Sequence, residues 1–310
     1  MVLNRSKLLD YYYEKLYPEL ESLETERRIL LRRLIGVWTG LVLLGGYIFW
    51  LARDSAEFQW WLIAGLAGAG YTLTAWMTKD YRRRFKKKIF AKLVERIDPT
   101  LRYDPDRKIS SVLFDASGLF PRDYTLYQGN DLIEGAIGDT PISFCDLNVQ
   151  KEYRDAKGRK NRTTVFAGTF VVTEFHKHFN GFVRVVPDFA ERYFGVTGRW
   201  LQGWDKEVVR MDSPRFEKLF KVYAKDPIEA HYLLTPNIME RIVALQERAD
   251  APIYLSFRYE KLFIAVAHGE DRFEPTLFTS LLKVDTFLKY AENLDLILSI
   301  VEELNLNRKV

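Results

Sequence analysis

Two stretches of the chain show no alternation of polar and apolar positions. Residues 34–52, LIGVWTGLVLLGGYIFWLA, run for 19 positions without a charge, and residues 58–78, FQWWLIAGLAGAGYTLTAWMT, run for 21. As helices they would reach about 28 to 32 Å, close to the thickness of the hydrocarbon layer of a bilayer. Neither has the polar face that a surface helix of a soluble domain needs, and Trp50, Trp60, Trp61 and Trp76 sit near their ends, where amphipathic rings favour the headgroup level. The pattern predicts a two-helix transmembrane hairpin over residues 34–78. An apolar hairpin buried in a soluble core is the alternative, and the aromatic ends of both stretches weigh against it.

The flanking segments are patterned differently. In residues 1–33 apolar side chains recur at three- and four-residue steps, Leu9, Tyr13, Leu16, Leu20, Leu23 and Leu30, with a break at Arg27. This predicts a helix, either part of a short coiled coil or packed on its own domain, with Pro18 arguing for the second. Residues 79–106 read as a basic linker ending in the turn-rich DPTLRYDPD. Beyond it, residues 107–310 read as one α+β domain, a mainly antiparallel sheet with packed helices. Turn-separated strand formers fill residues 124–187, with DAKGRKN at the tip of a long hairpin. FEKLFKVYAK reads as a strand. Asp226, Pro227 and Glu229 open a helix, Pro236 restarts it, and IYLSFRYEKLFIAVAH reads as a hairpin whose second strand is central. Phe287, Tyr290, Leu294, Ile297, Leu298, Val301 and Leu304 trace one face of a final helix.

Charge sharpens the division. The formal net charge of +4 splits into +5 over residues 1–106 and −1 over residues 107–310. Nucleic-acid binding is therefore disfavoured, because the large domain has no basic excess to neutralise phosphates. The basic residues gather at the ends of the apolar stretches. Arg27, Arg28, Arg32 and Arg33 precede the first, KDYRRRFKKK follows the second, and the connector RDSAE is net −1. By the positive-inside rule both termini are cytoplasmic, in a multi-pass inner-membrane protein. Arg82, Arg83, Arg84, Lys86, Lys87 and Lys88 are then expected on an anionic inner leaflet, each contributing about 1 kcal/mol of attraction. The first apolar run starts late and follows an acidic helix, so a cleavable signal peptide is not expected.

The segments FDASGLFP, YQGNDLIEGAIGDTPISFCDL, FKVYAKDPIEAHYLLTPNIMERI, FEPTLFTSLL and VEELNLNRKV resemble the sequence blocks of a bacterial membrane family known as domain of unknown function 3137. The resemblance covers most of residues 107–310 and extends to the position of the hairpin. It implies an inner-membrane architecture and brings no assigned activity, catalytic residue or cofactor.

Candidate chemistry is sparse. Glu174, His176 and His178 share one face of a strand end, and His176 and His178 are the weak metal candidates. Glu174 and His178 would lie about 13 Å apart, too far to share one ion, so His231 or His268 would have to contribute. The single cysteine, Cys145, excludes an intramolecular disulfide and reads as a small buried hydrophobe rather than a nucleophile. No GxSxG, HExxH or phosphate-loop motif is present. Asp115, Asp123, Asp131, Glu134 and Asp139 read as turn residues. The basic tip, Arg154, Lys157, Arg159, Lys160 and Arg162, is either a solvated turn or a second contact for lipid or a partner. GxxxG at Gly36 and Gly40, with small residues from Ala64 to Gly70, suits helix packing within one copy or between copies, leaving a homo-oligomer open. The expected role is an interaction or scaffold module with a lipid and a protein partner. The alternative is a membrane-tethered enzyme. Transport by one copy is disfavoured, since neither span carries a charge to line a polar path.

Overall fold

The structure, a computed structural model, describes residues 5–51, 56–175, 179, 181–188, 208–269, 273–275 and 277–304. The chain divides into two units, one made of Leu3–Leu93 with Phe273–Tyr290, the other of Val94–Arg272 with Ala291–Val310. This partition differs from the one expected: residues 79–97 are helical rather than a linker, and a segment far along the chain belongs with the N-terminal helices.

The first unit is helical. Helix α1 (Arg5–Tyr11) passes through a widened π turn at Tyr12–Leu16 into α2 (Tyr17–Leu51). Pro18 has no N–H to donate back along the helix, and the wide turn, closed by the Tyr17 N–H on the Tyr12 carbonyl, accommodates it. The extra residue in that turn shifts the buried face. Leu8 and Tyr12 are buried and Tyr13 is exposed, whereas the periodicity had Leu9 and Tyr13 inward; Leu16, Leu20 and Leu23 are buried as expected. Helix α3 (Ala56–Phe85) continues through a second π turn at Lys86–Phe90 into α4 (Ala91–Ile97). The two long helices touch through small residues. A Cβ on Gly70 would stand 2.8 Å from the Trp38 ring, and one on Gly45 would stand 3.1 Å from Leu66. The Trp38 indole N–H donates to Thr74 Oγ1 at 3.1 Å. Gly36, Gly40, Gly65 and Gly68 face open space.

The second unit holds an antiparallel sheet with nine strands among the described residues. They are β1 (Arg102–Asp104), β2 (Leu126–Ile137), β3 (Thr140–Arg154), β4 (Lys160–Glu174), β5 (Phe182–Pro187), β6 (Val208–Val209), β7 (Phe220–Ala224), β8 (Ile253–Arg258) and β9 (Lys261–Val266), in the order β1-β2-β3-β4-β9-β8-β5-β7-β6. The α+β class expected from the pattern is present. The basic hairpin is β3 and β4, closed by Arg154 opposite Lys160, and β9 lies centrally between β4 and β8. Tyr259 and Glu260 take left-handed φ in the turn joining β8 to β9. Where a single strand was expected at 216–225, Ser213 caps a short helix, α6 (Pro214–Glu217), before β7 begins.

Alternate residues of the long strands face opposite sides. Cys145, Leu147 and Val149 enter an aromatic core with Phe166, Phe170 and Phe263. Helix α5 (Ser111–Ser117), opened by Ser110 and closed by left-handed Gly118, brings Phe114 into the same core, where it stacks on Phe120 at 5.4 Å. Asp226 accepts the Ile228 N–H at 2.9 Å and opens α7 (Pro227–Leu233); α8 (Pro236–Ala249) restarts at Pro236 and buries Ile238, Ile242 and Leu245. The last helix, α9 (Val284–Glu303), gives residues to both units.

Candidate functional site

In the helical unit the most tightly built site surrounds two charges in the first third of α2. Glu24 and Arg27 are buried, at the point where the apolar stripe breaks. The Arg27 guanidinium donates to both Glu24 oxygens, at 2.7 and 2.9 Å. The pair then holds the backbone of residues 277–281. Arg27 Nη1 donates to the Leu277 carbonyl, and the Leu281 N–H donates to Glu24 Oε2 at 3.0 Å. The guanidinium hydrogen bonds draw the Glu24 carboxyl down to about 2 despite burial, and Glu24 in turn raises Arg27. Burial pushes the Tyr81 hydroxyl well up. The same segment is tied to α3 by ion pairs from Glu274 to Arg82 and to Lys86, the latter at 3.4 Å. Ring contacts complete the seat, Phe273 on Phe90 at 4.9 Å, Phe287 on Tyr12 at 5.0 Å and Tyr290 on Phe85 at 5.7 Å.

This arrangement redistributes the six cations expected at a lipid surface. Lys86, expected on the leaflet with the others, is buried, 4% exposed, and pairs with Glu274. Arg82 is half-exposed and engaged with the same carboxylate; Arg84 is exposed and pairs with Glu26 at 3.0 Å. Arg83, Lys87 and Lys88 are exposed.

At the hairpin tip Arg154, Lys157, Arg159, Lys160 and Arg162 are all exposed. Asp155 shapes the turn by accepting the Lys157 and Arg159 N–H groups, each at 2.9 Å, and these bonds, with the Arg159 side chain, lower its carboxyl. Arg159 pairs with Asp155 and Arg162 with Glu152, each at 2.8 Å.

His176 and His178 lie outside the described residues; Glu174 ends β4, exposed. Among the described residues no group of three or more His, Cys, Asp or Glu is placed to hold a metal ion. Cys145 is buried, accepts the Ile109 N–H at 3.3 Å, and burial pushes its thiol up to about 12, which leaves it protonated. The five acidic residues do not converge. Asp115 accepts from Tyr124, Asp123 pairs with Lys151, Asp131 sits in the bulge of β2 and accepts from Tyr103, Glu134 pairs with Arg107, and Asp139 lies in the β2–β3 turn.

The sheet unit has one polar cleft that the sequence reading missed, a cavity of about 330 Å³ on the face opposite the aromatic core. Its floor follows from strand register: Gln128 lies opposite Asn148, and Asn130 opposite Asp146, which lies opposite Thr169. Gly168 and Gly269 line it beside them. A side chain at Gly168 is excluded, since a Cβ there would stand 2.0 Å from the Val266 carbonyl oxygen and φ is +152°. Buried Thr169 donates to Asp146 Oδ1 at 2.6 Å and, its proton so used, takes a hydrogen bond from His268 Nε2 at 2.9 Å. The signal was the i, i+2 polar series through strands that are otherwise apolar. Arg184 and Arg258 also meet beside Gly118. Burial and then Arg258 lower Arg184 to about 10; Arg184 lies on the Phe182 ring at 4.6 Å, and Arg258 donates to the Ala116 carbonyl at the end of α5.

Residues 164–306 match the model of a family described as protein of unknown function (DUF3137). This bears out the resemblance to domain of unknown function 3137, without showing a bacterial origin, over a narrower stretch than expected: FDASGLFP and the whole β2–β3 hairpin precede it. No curated protein matches the chain. Among solved structures, the crystal structure of the mycobacterial trehalose monomycolate transport factor A, TtfA, is 9% identical, with 70% of this chain and 96% of that chain covered and a TM-score of 0.33. A likeness that low carries no argument about this chain.

One helical stretch, Leu8–Leu51, is long and apolar enough among the described residues to cross a membrane or act as a signal anchor, and only 6% of its apolar window is buried. Helix α3 does not reach that apolarity, because Gly, Thr, Tyr and Trp dilute its aliphatic residues.

Proposed function

We propose that the chain is a membrane-anchored interaction module at the inner membrane, whose helices α2 and α3 both cross the bilayer and whose two termini lie on the cytoplasmic side. One observation carries this reading: Val42, Leu43, Tyr47, Trp50 and Leu51 of α2 point outward, with Trp60, Trp61, Tyr71 and Trp76 of α3. An apolar surface of that extent calls for a cover, and lipid suits a charge-free helix with aromatic ends. Arg83, Arg84, Lys87 and Lys88 then meet the anionic leaflet, while Arg82 and Lys86 serve the Glu274 contact. The sheet unit faces the cytoplasm and binds a protein or lipid partner there. Extraction after lysis tests the anchor, since the intact chain should stay with membranes through high salt and leave only with detergent. A reporter joined after residue 310 should be active only inside the cell. Release without detergent, or a reporter outside, overturns the reading.

A second reading, a membrane-tethered enzyme, is favoured by Asp146, which lines the cleft and is joined through Thr169 to His268. It expects a small molecule that co-purifies with the full-length protein and is lost in D146N, as read by native mass spectrometry. Wild type and variant without such a molecule leave the first reading alone.

A further inference from the structure

Within FEPTLFTSLL, the helical unit buries Phe273, Leu277 and Leu281 yet leaves Phe278 88% exposed, more than any other large hydrophobic side chain described. Single exposed apolar residues are common on protein surfaces. This one is held outward. Arg27 grips the carbonyl of the preceding residue, Glu24 takes the Leu281 N–H, and Glu274 is paired to Arg82 and Lys86. The backbone on both sides of Phe278 is therefore fixed to α2 and α3, so the ring cannot turn inward without breaking a buried pair.

Its position along those helices names its partner. Arg82 lies four residues past Thr78, the end of the second apolar stretch, and Arg27 lies seven residues before Leu34, the start of the first. At 1.5 Å per residue these are about 6 and 10 Å from the hydrocarbon edge, the depth of the headgroup layer. Exposed Arg83, Lys87 and Lys88 belong to the same unit. Cations beside an aromatic ring are the composition of a membrane-interface contact.

We infer that Phe278 is an interfacial anchor, inserting its ring at the headgroup and acyl boundary of the membrane that α2 spans, so that residues 277–281 form a lipid-binding ledge. The inference rests on the anchored reading above. It implies that the Glu24–Arg27 pair is a positioning device for a lipid contact.

The test uses the full chain in vesicles of phosphatidylethanolamine and phosphatidylglycerol, carrying an environment-sensitive nitrobenzoxadiazole label on F278C. Buried Cys145 leaves the new thiol as the reactive one. A second preparation carries the label on L43C, in the middle of the first span. The expected result is a blue-shifted emission at both positions. Lipids spin-labelled near the glycerol should quench position 278 most strongly, and lipids labelled deep in the chain should quench position 43. Adding R27A should return position 278 to the emission of a water-exposed label while position 43 stays quenched. Position 43 quenched and position 278 water-like overturns the ledge but keeps the anchor. Neither position quenched overturns both. A blue shift at 278 without quenching means that protein covers the ring, and also overturns the inference.

Discussion

The two units bury charge in opposite ways. In the helical unit Glu24, Arg27 and Lys86 lie among leucines and aromatic rings, and Glu24 and Arg27 clasp a segment some 250 residues away in sequence. In the sheet unit the core around Phe114, Phe166 and Phe170 is built from apolar residues, and buried Asp146 lies on the reverse face of β3 from its neighbours Cys145 and Leu147. The difference follows from what each unit can do with its apolar surface. The helices turn much of theirs outward, so little area remains to choose where residues 273–281 sit, and oriented ion pairs supply that choice. The sheet encloses its apolar residues, and burial of their area holds its core.

The largest expected effects separate these two kinds of cohesion. Arg27→Ala leaves Glu24 buried without its cation and should cost about 3 to 5 kcal/mol within the helical unit. Protease should then cut within residues 273–283 while hydrogen exchange in β3, β4 and β9 stays slow. Phe114→Ala should cost a similar amount, about 3 to 5 kcal/mol, through the cavity it leaves. It should do the reverse, quickening exchange in the sheet and sparing the clasp. If either substitution loosened both units equally, the contrast would fail. Gly168→Ala belongs with the second, because its methyl cannot occupy the space of the Val266 carbonyl and β4 must shift from β9.

Acid should divide the units by a smaller margin. Glu24 titrates near 2 in the folded chain, below the ordinary carboxylate value of about 4.3. A carboxyl with a depressed folded value adds stability that is complete above its unfolded value and disappears as pH falls through the folded one. For Glu24 this contribution is about 3 kcal/mol, lost between about pH 4.5 and pH 2. Protease cutting at residues 273–283 should therefore rise over that window in wild type. In E24Q it should already be raised at neutral pH and change little with acid.

The sequence disclosed what depends on local pattern and concealed what depends on distant pairing. The long apolar helix α2, the 154–160 hairpin tip, the Asp226 cap and the central β9 could each be read from runs of a few residues. The α1–α2 face was misplaced by one residue, since nothing local marks a π turn beyond Pro18. Arg27 was noticed only as a break in a leucine stripe; its meaning needed Leu277 and Leu281. Asp146, Thr169 and His268 come together through cross-strand register, and that is fixed only when β3, β4 and β9 pair. Lys86 looked like its neighbours Lys87 and Lys88, yet one carboxylate elsewhere in the chain, Glu274, withdraws it from solvent.

The smallest effect expected concerns the two basic clusters themselves. The run at the end of α3 and in the π turn after it engages Arg82 and Lys86 with a distant acid, whereas at the tip Arg159 and Arg162 pair with half-buried acids close by on the same hairpin. Pairs of that kind are weak and exchange readily for another anion, so the proposed contact of the tip with a charged leaflet stays open to them. A label on A156C in full-length protein should shift modestly to the blue in phosphatidylglycerol vesicles compared with phosphatidylcholine vesicles. The shift should fade in high salt, where the screening length falls to about 3 Å at 1 M. Changing Arg154, Lys157, Arg159, Lys160 and Arg162 together to glutamine should abolish it without altering extraction from the membrane, which belongs to α2. A shift that ignores both lipid charge and salt would make the tip a solvated turn and leave the juxtamembrane cations as the chain's electrostatic contact with the bilayer.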